Sequence, residues 1–82
     1  MICQYHFTIR CACPVDGEGD VYQAVCESDA TIPVEKIIEI ATKFGGIKSF
    51  QEDVTRQVAR ELGCRVKTIG SHSGVITVVT AP

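Results

Sequence analysis

The 82-residue sequence predicts an α+β domain: a four-stranded antiparallel sheet with two helices on one face, in the order ββααββ. Three observations carry that expectation. Alternating β-formers flank a glycine-rich acidic turn near the start, two apolar stripes at helical spacing follow, and the tail returns to β-branched residues around a second turn. So short a chain supports a single domain, residues 1–82.

Residues from about Tyr5 to Cys13 alternate and carry β-formers, as do Val21 to Glu27, and "CPVDGEGD" between them reads as the turn of a hairpin. In "TIPVEKIIEIATKFGG", Pro33 suits the first turn of a helix. Val34, Ile37, Ile38, Ala41 and Phe44 share one face, and Gly45-Gly46 ends it. "SFQEDVTRQVARELG" repeats the grammar, with Phe50, Val54, Val58 and Leu62 four apart and Gly63 as the stop. Arg65 to Ile69 and Val75 to Thr80 are the last strands, joined by a turn at Ser71 to Gly74. The near-continuous apolar run of the final strand implies burial on both faces or pairing at an edge.

A core this small is near the limit of self-sufficiency, and a four-stranded sheet leaves two edges open. Both facts predict a homo-oligomer whose subunits join their sheets into a barrel. No apolar run is long enough to span a bilayer, so no membrane is expected. "MICQYHFTIR" lacks the basic and apolar regions of a secretory signal, which makes the cytoplasm the expected location. Five cysteines, an odd number, are expected to be reduced there; a Cys11–Cys26 bridge between neighbouring strands is the exception to look for, as in intracellular proteins of thermophiles. Cys11-x-Cys13 with His72 lacks the paired spacing of common zinc sites, so no metal is expected. The net charge of −2 gives nucleic-acid binding no support by itself. Residues 48–82 nevertheless carry five bases, Lys48, Arg56, Arg60, Arg65 and Lys67, against three acids.

Chemistry concentrates around the first turn. Cys13 closes the first strand and Asp20 opens the second, so a folded turn can bring thiol and carboxylate to one pocket. Such a pair suits attack on an electrophilic carbon, the carboxyl group accepting and returning the proton; the competing reading is an acidic hairpin loop. Arg10 or a helix terminus is the candidate to offset the local negative charge. Glu52 has two readings as well. Ser49-x-x-Glu52 fits a capping box, and a carboxylate at a helix start also presents two acceptors to paired donors such as a guanine-like edge. His72 lies in the second turn, where a surface residue is the commoner role.

Cys13-Pro14-x-x-Gly17-x-x-Asp20 resembles the C-P-x-T-G-x-x-D signature of the QueF family of tunnelling-fold (T-fold) enzymes, which act on 7-cyano-7-deazaguanine. Phe50-Gln51-Glu52-Asp53 is similar to that family's F-H-E-D at the second helix, and Gly70 to Val75 falls where it has a turn ending R-G-G-I. The resemblance spans nearly the whole chain and implies a T-fold unit. It implies Cys13 as the nucleophile that forms a thioimide with the nitrile, Asp20 as proton donor and acceptor, and Glu52 as the carboxylate holding the deazaguanine edge. Gln51 and His72 then occupy substrate-binding positions.

Two departures point to a subgroup. The NADPH segment E-S-K-S-L-K of the nitrile reductases is replaced by Thr31-Ile-Pro-Val-Glu-Lys-Ile-Ile, and the histidine of F-H-E is Gln51. The chain therefore resembles the QueF-like amidinotransferases, which need no cofactor and use ammonia to convert the nitrile base in archaeal tRNA to the amidine of archaeosine. The partners so implied are tRNA carrying 7-cyano-7-deazaguanine, ammonia, and further copies of the chain in a pentamer or decamer. The alternatives are an NADPH-dependent nitrile reductase, a non-catalytic T-fold module binding a purine or pterin, and a T-fold cyclohydrolase. The last lacks its C-x-x-H zinc segment here.

Overall fold

The computed structural model describes residues 1–82. The elements run β1 (Cys3–Ala12), β2 (Gly19–Ser28), α1 (Val34–Thr42), α2 (Gln51–Leu62), β3 (Arg65–His72) and β4 (Val75–Ala81). The strands form one antiparallel sheet in sequence order, so β1 and β4 are its edges. The ββααββ order and the sheet are those the sequence predicts. The apolar final strand is an edge strand, which decides between its two readings. The β3–β4 turn is tighter than expected, with Ser73 and Gly74 at φ of +51° and +84°. Positive φ at both central residues matches the right-handed twist of the strands they join.

One face of the sheet supplies Ile9, Tyr22, Ala24, Cys26 and Val66 to the core; α1 covers it with Ile37, Ile40 and Phe44 nearby, and α2 with Val54, Val58 and Leu62. The opposite face carries no helix and leaves Val21, Ile69, Ile76 and Val78 exposed. Two details of the helices differ from expectation. Val34 and Ile38 are exposed, and Ile40 is buried in their place. Five of the nine residues of α1 are apolar and spread over nearly half of its circumference, and packing against β1 and α2 buries only one flank of that arc, at Ile37 and Ile40. A Lys43–Glu61 ion pair joins the two helices.

Pro33 precedes α1 as its N-cap residue instead of sitting inside the first turn. Likewise Ser49-x-x-Glu52 forms no capping box. The N-cap residue of α2 is Phe50, without a side-chain cap, because the backbone at Ser49 is engaged elsewhere: its N–H donates to the Ala12 carbonyl at 3.0 Å.

The Cys11–Cys26 bridge is ruled out by register. Cys11 pairs with Asp20, and Cys26 pairs with Tyr5, six residues back along β1. At the rise of a β-strand that is about 20 Å, far beyond disulfide reach. All five cysteines are free. Cys26 lies beside Cys64, and burial, then that neighbouring thiol, pushes its pKa from 9.0 up to about 12. The raised value means Cys26 stabilises the fold fully below pH 9 and loses that contribution as pH climbs to about 12, because the unfolded thiol gives up its proton first. Urea midpoints are therefore expected to fall between pH 9 and 12, and the slope should be shallower in Cys26→Ala.

Candidate active site

A backbone stitch builds the site. The Ala12 N–H donates to the Ile47 carbonyl at 2.9 Å and the Ser49 N–H donates back to Ala12, so residues 47–49 run parallel to the end of β1. The Cys11 thiol, directed to the Ser49 carbonyl at 3.9 Å, lies along the same seam. Cys13 is thereby set against Phe50, Gln51 and Glu52, the start of α2, although 37 residues separate Cys13 from Phe50 in the chain.

Beyond the stitch the chain turns. The Cys13 N–H donates to the Glu18 carbonyl at 2.7 Å, the Gly17 N–H donates to the Cys13 carbonyl at 2.9 Å, and Gly17 takes φ of +75°. Asp16 is spent on this turn. Its carboxylate accepts the Glu18 N–H at 2.9 Å, and that bond, with a second from the Cys13 side chain, holds its pKa low.

Cys13, Asp20, Gln51, Glu52 and His72, the five residues singled out in the sequence, all line one cleft of about 510 Å³. Glu52 is exposed and enters no ion pair, so its carboxylate is available to a ligand. Phe50, half exposed, presents an aromatic face at the rim. Arg10 lies outside the cleft, in a groove beside α1. The positive end of the α2 dipole is what the cleft has to offset its carboxylates.

Gln51 differs from expectation in character. It is 3% exposed, and its side-chain nitrogen donates to the Thr68 carbonyl (3.3 Å), the Thr68 hydroxyl (3.1 Å) and the Thr77 carbonyl (3.1 Å). The Thr68 hydroxyl then meets the Thr55 hydroxyl at 2.6 Å, and Thr55 donates to the Gln51 carbonyl at 2.7 Å, closing a buried ring. Fully satisfied polar rings of this kind fix geometry, since any broken member strands a desolvated partner.

Tyr22, Gly70 and Thr77 belong to the site and were not foreseen. Tyr22 lies under the cleft at 1% exposure, and its hydroxyl donates to Asp20 Oδ2 at 3.2 Å. Burial first, then the neighbouring Cys11 and Asp20, pushes its pKa upward, so it remains a donor. Burial likewise raises the Cys11 thiol, against a lowering hydrogen bond from Tyr22. The ring fits because the neighbouring β3 position is Gly70, where a Cβ would sit 2.6 Å from Tyr22 Cδ1. His72 tilts over the same ring with centroids 6.1 Å apart. A glycine inside a strand pattern often marks such a close approach, and that was the available signal. Tyr22→Phe keeps the packing and removes the donor; urea melts should record a loss of about 1 kcal/mol.

This sheet and helix pair, with its cleft at the junction of β1, β2 and α2, is a T-fold unit. A solved structure described as the crystal structure of the archaeosine synthase QueF-Like in the apo form is similar to the chain. Its TM-score is 0.86 at 14% identity, over 98% of this chain and 90% of that one. At that identity the likeness establishes the fold. No family model and no curated protein matches the sequence.

Proposed function

We propose that the chain is a QueF-like amidinotransferase that converts the nitrile of 7-cyano-7-deazaguanine in tRNA to an amidine. The observation that carries this reading is the convergence of Cys13 from the β1–β2 turn, Asp20 from β2 and Glu52 from α2 on one cleft. Cys13 adds its sulfur to the nitrile carbon while its proton ends on the nitrile nitrogen, giving a thioimide. Ammonia then adds to that carbon, the carbon–sulfur bond breaks, and the thiol recovers a proton. The sum is nitrile plus ammonia to amidine, with no redox change and no cofactor. In this reading Asp20, which accepts the Tyr22 hydroxyl, carries the protons, and the Glu52 carboxylate takes a ligand edge offering two donors. His72 borders the bound base, with the Gln51 amide supporting it from the cleft floor.

RNA contact is expected at the far end of α2, where Arg56, Arg60 and Arg65 line a second cleft of about 730 Å³. The open β1 and β4 edges and the exposed Val21, Ile69, Ile76 and Val78 support assembly into a sheet-joined homo-oligomer; the pentamer or decamer and the cytoplasmic location go with the family reading. The test is intact-mass analysis after mixing the protein with 7-cyano-7-deazaguanine near neutral pH. A covalent adduct equal to the mass of the base is expected, followed by amidine release on adding ammonium. A complete absence of adduct sinks the reading and leaves a non-catalytic purine-binding module. Consumption of NADPH with the free base identifies a nitrile reductase instead.

A further inference from the structure

The carboxamide of Gln51 decides where a proton sits on the cleft floor. Its Nε2 approaches two backbone carbonyls, of Thr68 and Thr77, and carbonyls only accept, so the orientation of the amide is forced. Oε1 therefore only accepts. It receives the Thr77 hydroxyl at 2.5 Å and meets His72 Nε2 at 3.3 Å, so that contact requires a proton on Nε2 of the imidazole. The other ring nitrogen, Nδ1, faces Asp20, 3.9 Å from Oδ1. A neutral ring with its proton on Nε2 turns a bare lone pair toward that carboxylate, which is repulsive when both are unprotonated. One proton between them converts the repulsion to a bond, whichever of the two holds it. The other carboxylate oxygen, Oδ2, accepts the Tyr22 hydroxyl.

We propose that His72 and Asp20 form a proton-sharing pair whose tautomer Gln51 fixes from below, and that this pair, not Asp20 alone, moves the protons of the reaction. The second half rests on the amidine-forming reading above. As the sulfur–carbon bond forms, the Cys13 S–H proton passes to the pair and the proton of the pair goes to the nitrile nitrogen. When ammonia adds, the pair takes one N–H proton and returns one to the departing sulfur. The pair ends each step as it began, and no oxidant or reductant enters. The 3.9 Å separation has to close to about 3 Å for transfer, the tightening common to catalytic hydrogen bonds when substrate binds. Gln51 serves the base at one remove, as a positioning residue, since its amide nitrogen is already committed to three acceptors.

Two measurements on the full chain decide the matter. Nitrogen-15 NMR of the ring-labelled protein is expected to show His72 Nε2 protonated; a ring protonated on Nδ1 with a bare Nε2 overturns the shared proton. His72→Ala is expected to slow thioimide formation at saturating 7-cyano-7-deazaguanine about 100-fold. Because His72 also borders the base, affinity is measured separately in a Cys13→Ala background, where the same substitution is expected to cost less than it costs the rate at saturation. Added imidazole should restore part of the lost rate. An unchanged rate, or a loss that imidazole does not relieve, overturns the relay. If the unaltered protein forms no thioimide at all, the amidine-forming reading fails and the relay falls with it, while the ring spectrum still rules separately on the shared proton.

Discussion

Cys13→Ala is expected to abolish thioimide formation, a loss of at least about 10³-fold in rate, while leaving the fold and non-covalent binding intact. A thiol is the one side chain in the cleft able to add readily to a nitrile near neutral pH; the other candidates are the hydroxyls of Ser49, Ser71 and Ser73, with those of Tyr22 and Thr77 already donating to Asp20 and Gln51. Cys11 cannot stand in. Its side chain is 4% exposed behind the stitch, directed at the Ser49 carbonyl, with burial holding the thiol protonated. Cys13 is half-buried and lies outside the core cluster, so the substitution removes little packing. Phe50 and Glu52 remain to receive the base, and calorimetry on the variant should record binding without the covalent phase. An adduct of undiminished yield in Cys13→Ala assigns the nucleophile elsewhere.

Gly70→Ala is expected to be the most damaging single methyl in the protein. The new Cβ would lie 2.6 Å and 2.8 Å from two ring carbons of Tyr22, a side chain with 1% exposure and nowhere to retreat. Overpacking of this kind costs about 1–3 kcal/mol, which for a domain of this size lowers Tm by roughly 5–20 °C. The displacement also moves the Tyr22 hydroxyl away from Asp20 and the ring away from His72, so thioimide formation should slow as well. Paired with Tyr22→Ala, which empties the space, the penalty at Gly70 should largely vanish; an additive double mutant argues against the steric account. Calorimetric melting of the four proteins is the measurement.

What the sequence made legible was local. The period-2 runs of β1 and β2, the stripe Val54–Val58–Leu62 and the stop at Gly63 each depend on residues a few positions apart, and they yielded the element order and the sheet; α1 ends earlier than its glycines, at Thr42. Four of the five site residues were reachable through their own chemistry or motif: Cys13, Asp20, Glu52 and His72 line the cleft as side chains a ligand can meet. Whatever depended on distant pairing was not legible. Ser49 reads as a cap until β1 claims its backbone, Gln51 reads as a ligand contact until Thr68 and Thr77 close around its amide, and Tyr22 reads as an ordinary core residue until the β2–β3 register sets Gly70 beside it. Cys11 and Cys26 looked like neighbours because spacing alone does not state the register of a hairpin. α1 differs for another reason: its apolar arc is wider than the surface β1 and α2 cover, so spacing finds the arc and tertiary packing chooses the Ile37–Ile40 flank within it.

The splice between Ala12 and residues 47–49 confers modularity on the protein. The end of β1 and the start of α2 are locked by main-chain bonds indifferent to side-chain identity, whereas the segment from Pro14 to Gly17 is held by the Gly17–Cys13 and Asp16–Glu18 bonds of its own turn. Substitutions that keep those turn bonds, at the exposed Val15 above all, would re-shape the mouth of the cleft without loosening its anchor points, so one scaffold could be re-tooled for different ligands within a single short loop.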